Sequence, residues 1–187
     1  MAKWFLWFLF YSFGGYLLEK LFARLTHSPN QIRKCFLFLP LCPVYGLAMT
    51  VLLALLPEGA SPLVRIFAGG LVCTAIEYLV HFFYEKILGV RFWDYSALRG
   101  HIRGRVCPQF ALIWGVLSAV SVQWLQPLAE ALAALTPPAV TYMLWLLLSA
   151  DCVFTAVLLR HGRGPEDLTL RAVFAQSRAS SQSSTSL

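Results

Sequence analysis

The chain has 187 residues, of which 58% are hydrophobic and only 13% are charged, and its mean hydropathy is +0.66. An average soluble domain is about 45–50% apolar and about 25% charged, so this composition excludes a compact soluble domain as well as disordered, collagenous and coiled-coil chains. It predicts an all-α, polytopic membrane protein. The net charge of +6 would suggest nucleic acid in a soluble protein, but in a membrane protein it informs orientation, and we predict no nucleic-acid partner.

Five apolar segments each approach the length of about 20 residues that a spanning helix needs. They are residues 4–25, 35–56, 63–88, 106–128 and 139–159. The first could be a signal peptide, but Glu19 and Lys20 stand where a small-residue cleavage site would be, so we expect an uncleaved helix.

The domain organisation follows from these segments. Residues 1–161 are predicted to form a single transmembrane helical domain in the lipid bilayer. Residues 162–187 form a Ser-rich tail without the apolar residues that a folded core requires, and we expect this tail to be disordered and cytoplasmic.

Lys and Arg fall almost entirely on one predicted side of the membrane. With five spans, the side that holds the amino terminus carries only Lys3 and Arg65, and the other side carries the remaining 13 of the 15 basic residues. Cytoplasmic loops are enriched in Lys and Arg. The sequence therefore predicts a multi-pass protein of the bacterial cytoplasmic (plasma) membrane, with the amino terminus outside and the carboxyl terminus in the cytoplasm.

The second segment is broken by Pro40 and Pro43. Each proline removes a hydrogen-bond donor and disfavours helix at the preceding residue, which leaves about 20 Å of helix over 44–56 against a bilayer core of about 30 Å. Broken helices often mark binding sites in transporters, so Cys42, Pro43 and Tyr45 are pathway candidates. An ordinary proline kink is the alternative.

Ionisable side chains lie inside the apolar segments, where they are costly and mark functional sites by default. Glu19 lies in the first segment, and Thr74, Glu77 and His81 share one face of the third because they are spaced by three and four residues. They predict a substrate or ion pathway; the alternative is a hydrogen-bonded network that only fixes helix packing. Glu85 continues this face and is expected to be solvated.

Small residues recur at four-residue spacing in the third and fourth segments. Gly70 and Thr74 do so in one, and Ala111, Gly115 and Ala119 do so in the other. Such residues let helix backbones approach closely, so they predict packing seams.

The five cysteines form no C-x-x-C pair, and most lie in apolar runs. We interpret them as reduced, small buried hydrophobic residues. Neither a metal site nor a cofactor is predicted.

Aromatic residues and arginines alternate in the loop 89–105. Its aromatic motif, which suits a membrane interface, consists of Trp93, Asp94 and Tyr95. Its candidates for binding anions or lipid phosphates are Arg99, Arg103 and Arg105. The alternative is that these arginines only anchor the positive side of the protein. We also expect one of the last two arginines to pair with Glu19 or Glu77.

Six motifs occur in a fixed order between residues 11 and 115. They are YSFGGYLLE at 11–19, FLFLPLCPVYG at 36–46, AIEY at 75–78, WDYS at 93–96, GRVC at 104–107 and WG at 114–115. This set resembles a family of small bacterial membrane proteins labelled putative ABC-transporter type IV, or putative ABC transporter permease (CmpB-like). Because the chain has no G-x-x-x-x-G-K-[ST] motif, the resemblance implies a separate ATPase subunit.

Three functions remain open. The first is a transport subunit that assembles with itself or with a partner, using the loops 26–34 and 89–105 to contact an ATPase. The second is a membrane enzyme acting on a lipid phosphate, with an intramembrane glutamate as base and a loop arginine holding anionic oxygens. The third is a structural or regulatory subunit. The chain lacks G-x-S-x-G, H-E-x-x-H and G-x-G-x-x-G motifs, which disfavours an enzyme.

Overall fold

The computed structural model describes residues 2–26 and 35–161, and the regular secondary structure of this part of the chain consists of helices. The helices are α1 (Ala2–Leu25), α2 (Pro43–Leu55), α3 (Pro62–Phe83), α4 (Pro108–Val120), α5 (Gln126–Leu135) and α6 (Pro138–Arg160). One π-helical turn, Tyr84–Leu88, extends α3, and another, Ser121–Leu125, joins α4 to α5. The predicted all-α class is confirmed. The predicted tail, 162–187, and most of the loop 26–34 lie outside the described residues.

Three of the described helices are long and apolar enough to cross a membrane, namely Pro62–Leu88, Pro108–Leu135 and Pro138–Arg160. The expected count of about five spans is not confirmed, because α2 has only 13 residues and α1, with 24, is more polar in composition. The helix expected over 106–128 continues to Leu135, so the connection to α6 is much shorter than predicted.

Prolines begin four of the helices. Pro43, Pro62, Pro108 and Pro138 each occupy the first helical turn, where the missing N–H has no intrahelical partner to lose. Residues 35–42, before the first of these prolines, are not helical. The break predicted in the second segment is therefore present.

The seam between α3 and α4 is built on glycines. A Cβ atom on Gly70 would lie 3.1 Å from the carbonyl oxygen of Ala111, and one on Gly115 would lie 2.6 Å from that of Ile66. The small residues predicted to form packing seams are therefore at a close helix contact at Gly70, Ala111 and Gly115, and the structure adds that these seams face each other. This close packing brings Glu77 of α3 and Trp114 of α4 within hydrogen-bonding distance of each other.

The helices α1 and α2 approach each other equally closely. Gly15 lies against the ring of Tyr45, and Gly46 lies against Ser12. This second glycine seam was not predicted, and it fixes the position of Tyr45 along the axis of α1, beside Gly15.

Candidate functional site

Several backbone donors of the non-helical segment 35–42 are satisfied by other parts of the protein. The N–H groups of Phe38 and Leu39 donate to the two carboxylate oxygens of Asp151, at 3.2 and 2.9 Å, and the N–H of Cys42 donates to the carbonyl of Ser12 at 2.8 Å. Irregular backbone at membrane depth requires such partners. Asp151, on α6, therefore holds the segment in place.

Cys35 and Cys42, at the two ends of this segment, form a disulfide with their Cα atoms 4.9 Å apart. The prediction that all five cysteines are reduced was wrong for this pair. Cys73, Cys107 and Cys152 are free. The pairing was missed because the cysteines are seven residues apart, and only the turn made by residues 36–41 brings them together.

A cavity of about 190 Å³ opens between α1, α2, α3, α4 and the loop 89–107. Half of its described lining residues are aromatic, and its two charged lining residues among those described are the carboxylates of Glu19 and Glu77. The predicted candidates Cys42, Pro43 and Tyr45 also line it. The broken second segment thus forms one wall of the cavity.

Glu77 lies at the centre of this site and is only 4% exposed. Its Oε1 accepts a hydrogen bond from the Tyr95 hydroxyl at 2.9 Å, and its Oε2 accepts one from Trp114 Nε1 at 3.0 Å. Burial and the nearby Glu77 charge raise the pKa of Tyr95 well above its ordinary value, so this hydroxyl stays protonated and can donate. Glu77 thereby connects α3 to the loop and to α4.

Glu19 reaches the same cavity from α1. Its Oε1 accepts a hydrogen bond from the Tyr45 hydroxyl at 2.8 Å, and the Tyr45 ring packs against Trp114 with the ring centroids 4.8 Å apart. Since Trp114 also donates to Glu77, a continuous line of side-chain contacts runs from one carboxylate to the other.

Arg105 pairs with neither of these glutamates, contrary to expectation. It is 3% exposed, and its NH2 and Nε donate to Oε2 of Glu85 at 2.8 and 3.2 Å, while NH1 donates to the Tyr78 hydroxyl at 2.9 Å. Arg91 binds the other oxygen of Glu85. The Glu85 carboxylate raises the pKa of Arg105. The expectation that Glu85 is merely solvated was therefore wrong.

Thr74 and His81 do not line the cavity. His81 is 2% exposed, its Nε2 lies 3.0 Å from the carbonyl oxygen of Trp93, and its Nδ1 lies 3.8 Å from Glu85. The Thr74 hydroxyl is buried and has no hydrogen-bond partner among the described residues. The polar face predicted on α3 is thus divided: Glu77 faces the cavity, and His81 and Glu85 face the loop.

The loop 89–107 is folded tightly by contacts between its WDYS and GRVC motifs. The N–H of Tyr95 donates to the carbonyl of Gly104 at 2.8 Å, and Trp93 Nε1 donates to that of Arg105 at 3.0 Å. Gly104 has φ +70°, and a Cβ there would overlap the carboxylate of Asp94, which accepts from the Ser96 N–H at 2.8 Å.

This arrangement determines where the loop side chains point. Trp93 and Tyr95, which are predicted to lie at a membrane interface, both line the cavity. Arg91, Arg99 and Arg103 are all exposed, but Arg91 binds Glu85, so Arg99 and Arg103 are the exposed loop arginines that this ion pair leaves available to an anion or a lipid phosphate.

A family model described as putative ABC-transporter type IV matches residues 6–156 of the chain. The chain belongs to this family. The resemblance of the six ordered motifs is thereby confirmed, and the match includes every described residue that lines the cavity. None of the curated proteins or solved structures compared with the chain matches it.

Two residues of the chain make contacts that the sequence did not reveal. Trp114 donates a hydrogen bond to Glu77, which lies 37 positions away. Trp114 is part of the WG motif, one of the six ordered motifs, but the motif does not indicate this partner. Asp151 stands out in the sequence as an intramembrane carboxylate, and that is the signal that could have identified it. Its partners, the amides of Phe38 and Leu39, are backbone groups that no side-chain pattern reveals.

Proposed function

We propose that the protein is the membrane-embedded subunit of an ABC-type transport system, a permease-like component of a bacterial cytoplasmic membrane that works with a separate ATPase. The observation that carries this proposal is the carboxylate-containing cavity inside a bundle that belongs to a transporter family. A cavity between helices with a few convergent polar groups is the usual form of a small-molecule site. An ionisable group within a spanning helix marks a transport path.

Glu77 and the broken segment support the proposal together. The irregular chain around Cys42 and the buried carboxylate of Glu77 line one space, as in transporters whose interrupted helices bind substrate near the membrane midplane. Few helices enclose this space, so we propose that the complete path is formed with a second copy or another subunit.

The tip of the loop 89–107 is the surface that we propose for binding the ATPase. It follows the carboxyl end of α3, and it exposes Leu98, Ile102, Arg99 and Arg103. Exposed apolar residues with flanking arginines are typical of protein–protein contact surfaces. Because Trp93 and Tyr95 of the same loop line the cavity, a partner bound at the tip would act on the cavity through a short, tightly folded segment.

The experiment is affinity purification of the tagged full-length protein from cross-linked membranes of its own host. We expect a P-loop ATPase to co-purify, and Ile102→Asp combined with Arg99→Glu to reduce its recovery at least tenfold at unchanged protein yield. Glu58→Lys, in the connection at the opposite end of α3, is the control and should leave recovery unchanged. Absence of a P-loop ATPase above the level of an unrelated membrane protein would contradict the proposal.

The lipid-phosphate enzyme receives less support from the geometry. That hypothesis uses a loop arginine beside an intramembrane glutamate, whereas Arg105 donates to Glu85 and Tyr78. A purely structural subunit is separated from a transport subunit by Glu77→Gln. The amide oxygen can accept from Trp114, and its NH2 can donate to the Tyr95 oxygen, so the fold should survive while transport should be lost.

A further inference from the structure

We propose that the cavity binds a small organic cation, a substituted ammonium, with the charge beside Glu77 and the substituents against the aromatic rings. The inference rests on the proposed transport function and specifies the class of its substrate. It is carried by the size of the cavity, by the charges of its described lining and by the arrangement of its rings.

The size of the cavity limits the ligand. An apolar cavity of ~150 Å³ holds a benzene molecule, and this cavity measures about 190 Å³. A ligand slightly larger than benzene therefore fits, which admits tetramethylammonium, choline or a simple arylalkylamine. It excludes a peptide or a complete lipid.

The negative charge of Glu77 is not balanced by any described residue of the cavity lining. No Lys, Arg or His is found among the described residues that line it, and Glu77 receives hydrogen bonds from two neutral donors, Tyr95 and Trp114. Burying a carboxylate is costly unless an opposite charge accompanies it. A cationic ligand supplies that charge.

Glu85 provides an internal comparison because it lies two turns further along the same helical segment. It is bound by two arginines, Arg91 and Arg105, and so has cations of the protein itself. Among the described residues, the fold thus brings two arginines to Glu85 and none to the cavity side of Glu77, where aromatic groups predominate. This contrast favours a ligand, rather than a side chain, as the cation at Glu77.

The aromatic rings complete the site. Pairs of rings from different elements are already packed together at the lining, with centroid distances of 4.8, 4.7 and 5.2 Å, for Tyr45 with Trp114, Tyr95 with Phe110 and Phe36 with Tyr84. Ring faces attract cations, and aromatic cages are the common means of recognising quaternary ammonium groups. The preassembled pairs lower the cost of ordering the site when a ligand binds.

The test is titration calorimetry of the full-length protein in maltoside with choline and with its neutral isostere 3,3-dimethylbutan-1-ol. We expect choline to bind saturably and the isostere, which has the same shape without the charge, to bind at least tenfold more weakly. Equal affinities, or no saturable binding of choline and of tetramethylammonium, would overturn the inference.

Two variants locate the site. Glu77→Gln should weaken choline binding at least tenfold, whereas Glu130→Gln, a carboxylate on α5 outside the cavity, should not change it. Phe110→Leu removes a ring that makes no hydrogen bond through its side chain, and it should weaken choline binding about two- to fivefold while leaving the isostere unaffected. Because Phe110→Leu disturbs no polar contact, it keeps the test valid if Glu77→Gln does not fold. Unchanged choline binding in both folded variants would refute the site.

Competition by a short-chain phosphatidylcholine distinguishes the source of the cation. Displacement of choline by this lipid identifies a headgroup, and failure to displace it identifies a free amine; both results support a substituted ammonium. Binding is measured without an ATPase, so the two proposals fail separately. Choline binding without ATPase recovery overturns only the transport assembly, and ATPase recovery without choline binding overturns only the cation site.

Discussion

Glu77 and Glu85 have the same side chain, lie eight residues apart on one helical segment, and experience opposite surroundings. Glu77 accepts hydrogen bonds from neutral donors in a cavity, whereas Glu85 is bound by two arginines. The difference arises from the loop 89–107, which carries both Tyr95 and Arg105. A single loop therefore sets the chemistry of both carboxylates, and Arg105 is the residue through which this dependence can be tested.

Replacing Arg105 by Met should destabilise the protein. The change removes three hydrogen bonds to Glu85 and Tyr78 and the stacking of the guanidinium over Tyr78 and Phe82. Because Glu85 keeps its ion pair with Arg91, we expect the free energy of unfolding to fall by about 2–3 kcal/mol, which is the contribution of hydrogen bonds to a charged group. The measurement is unfolding in detergent followed by tryptophan fluorescence. Arg99→Met, at an exposed position of the same loop, should stay within about 0.5 kcal/mol, and equal losses would contradict the ion-pair argument.

At the scale of the elements, glycines decide which helices pack together. The Tyr45 ring occupies the space that a Cβ atom on Gly15 would need, whereas a Cβ atom on the neighbouring Gly14 would meet nothing within 4 Å. Both lie inside α1, where glycine lowers helix stability by about 0.5–1 kcal/mol relative to alanine. The two positions therefore separate the effect of packing from the effect of helix propensity.

Gly15→Ala should destabilise the protein, and Gly14→Ala should not. The added methyl at residue 15 would overlap the Tyr45 ring and displace a side chain that is bonded to Glu19, and overpacking of this kind costs about 1–3 kcal/mol. At residue 14 the added methyl meets no other atom, so only the higher helix propensity of alanine acts, and stability should stay constant or rise slightly. Thermal unfolding of the two variants measures the difference, and the packing argument fails if both shift in the same direction by the same amount.

The attachment of the non-helical segment to α6 can be tested at Asp151. Leu in place of Asp151 leaves the amides of Phe38 and Leu39 without their acceptors, so we expect their hydrogen exchange to accelerate about tenfold, corresponding to about 1.4 kcal/mol. Asn should have a smaller effect because it keeps one acceptor. Ser149→Ala is the control, since the Ser149 hydroxyl donates only within its own helix, to Trp145. Unchanged exchange in the Leu variant would show that other groups hold the segment.

Across the whole molecule, the features that follow from local chemistry could be predicted from the sequence. The break at Pro40 and Pro43 follows from the missing donor of proline, and the seam at Gly70 and Gly115 follows from small residues at helical spacing. Each depends on residues a few positions apart. The family could be recognised because its six motifs retain their order along the chain.

Features that depend on the path of a long connection could not be predicted. Glu85 and Arg105 are 20 positions apart, and Glu77 and Trp114 are 37 positions apart; nothing local indicates how the loop 89–107 turns back on α3. The span count is not confirmed for a different reason, since α2 has only 13 residues and α1 carries four charged residues. The charge distribution, by contrast, concerns the whole chain, and it leads to two linked predictions.

The redox state of Cys35 and Cys42 depends on the side of the membrane on which they lie, and the distribution of basic residues predicts that side. The five-span prediction puts 13 of the 15 basic residues on one side. Under that prediction, the positive-inside rule assigns the end of the molecule that holds Cys35 and Cys42 to the cytoplasm, where thiols are kept reduced. The disulfide of the structure and the predicted orientation therefore disagree, and the redox state of the pair in growing cells decides between them. If the orientation is correct, the pair is reduced in cells and closes only after extraction in air. Alkylation of cells that are quenched in acid and then denatured should mark five cysteines, and alkylation of the denatured, air-exposed protein should mark three, Cys73, Cys107 and Cys152. Three marked cysteines in the quenched cells would contradict the predicted orientation.

A direct test of orientation uses reporters fused to the full chain. A reporter that is active only outside the cytoplasm should be silent after Leu187 and active when inserted in the connection 58–61, because Lys3 and Arg65 are the basic residues expected on the outer side. Adding four lysines to the connection 58–61 should oppose this arrangement, since the difference in Lys and Arg between short loops sets topology, and the carboxyl-terminal reporter should then gain activity in part of the molecules. Four added glutamates are the control and should have little effect, because acidic residues contribute little to orientation. Activity after Leu187 in the unmodified chain would reverse the predicted orientation and place the loop 89–107 outside, out of reach of a cytoplasmic ATPase.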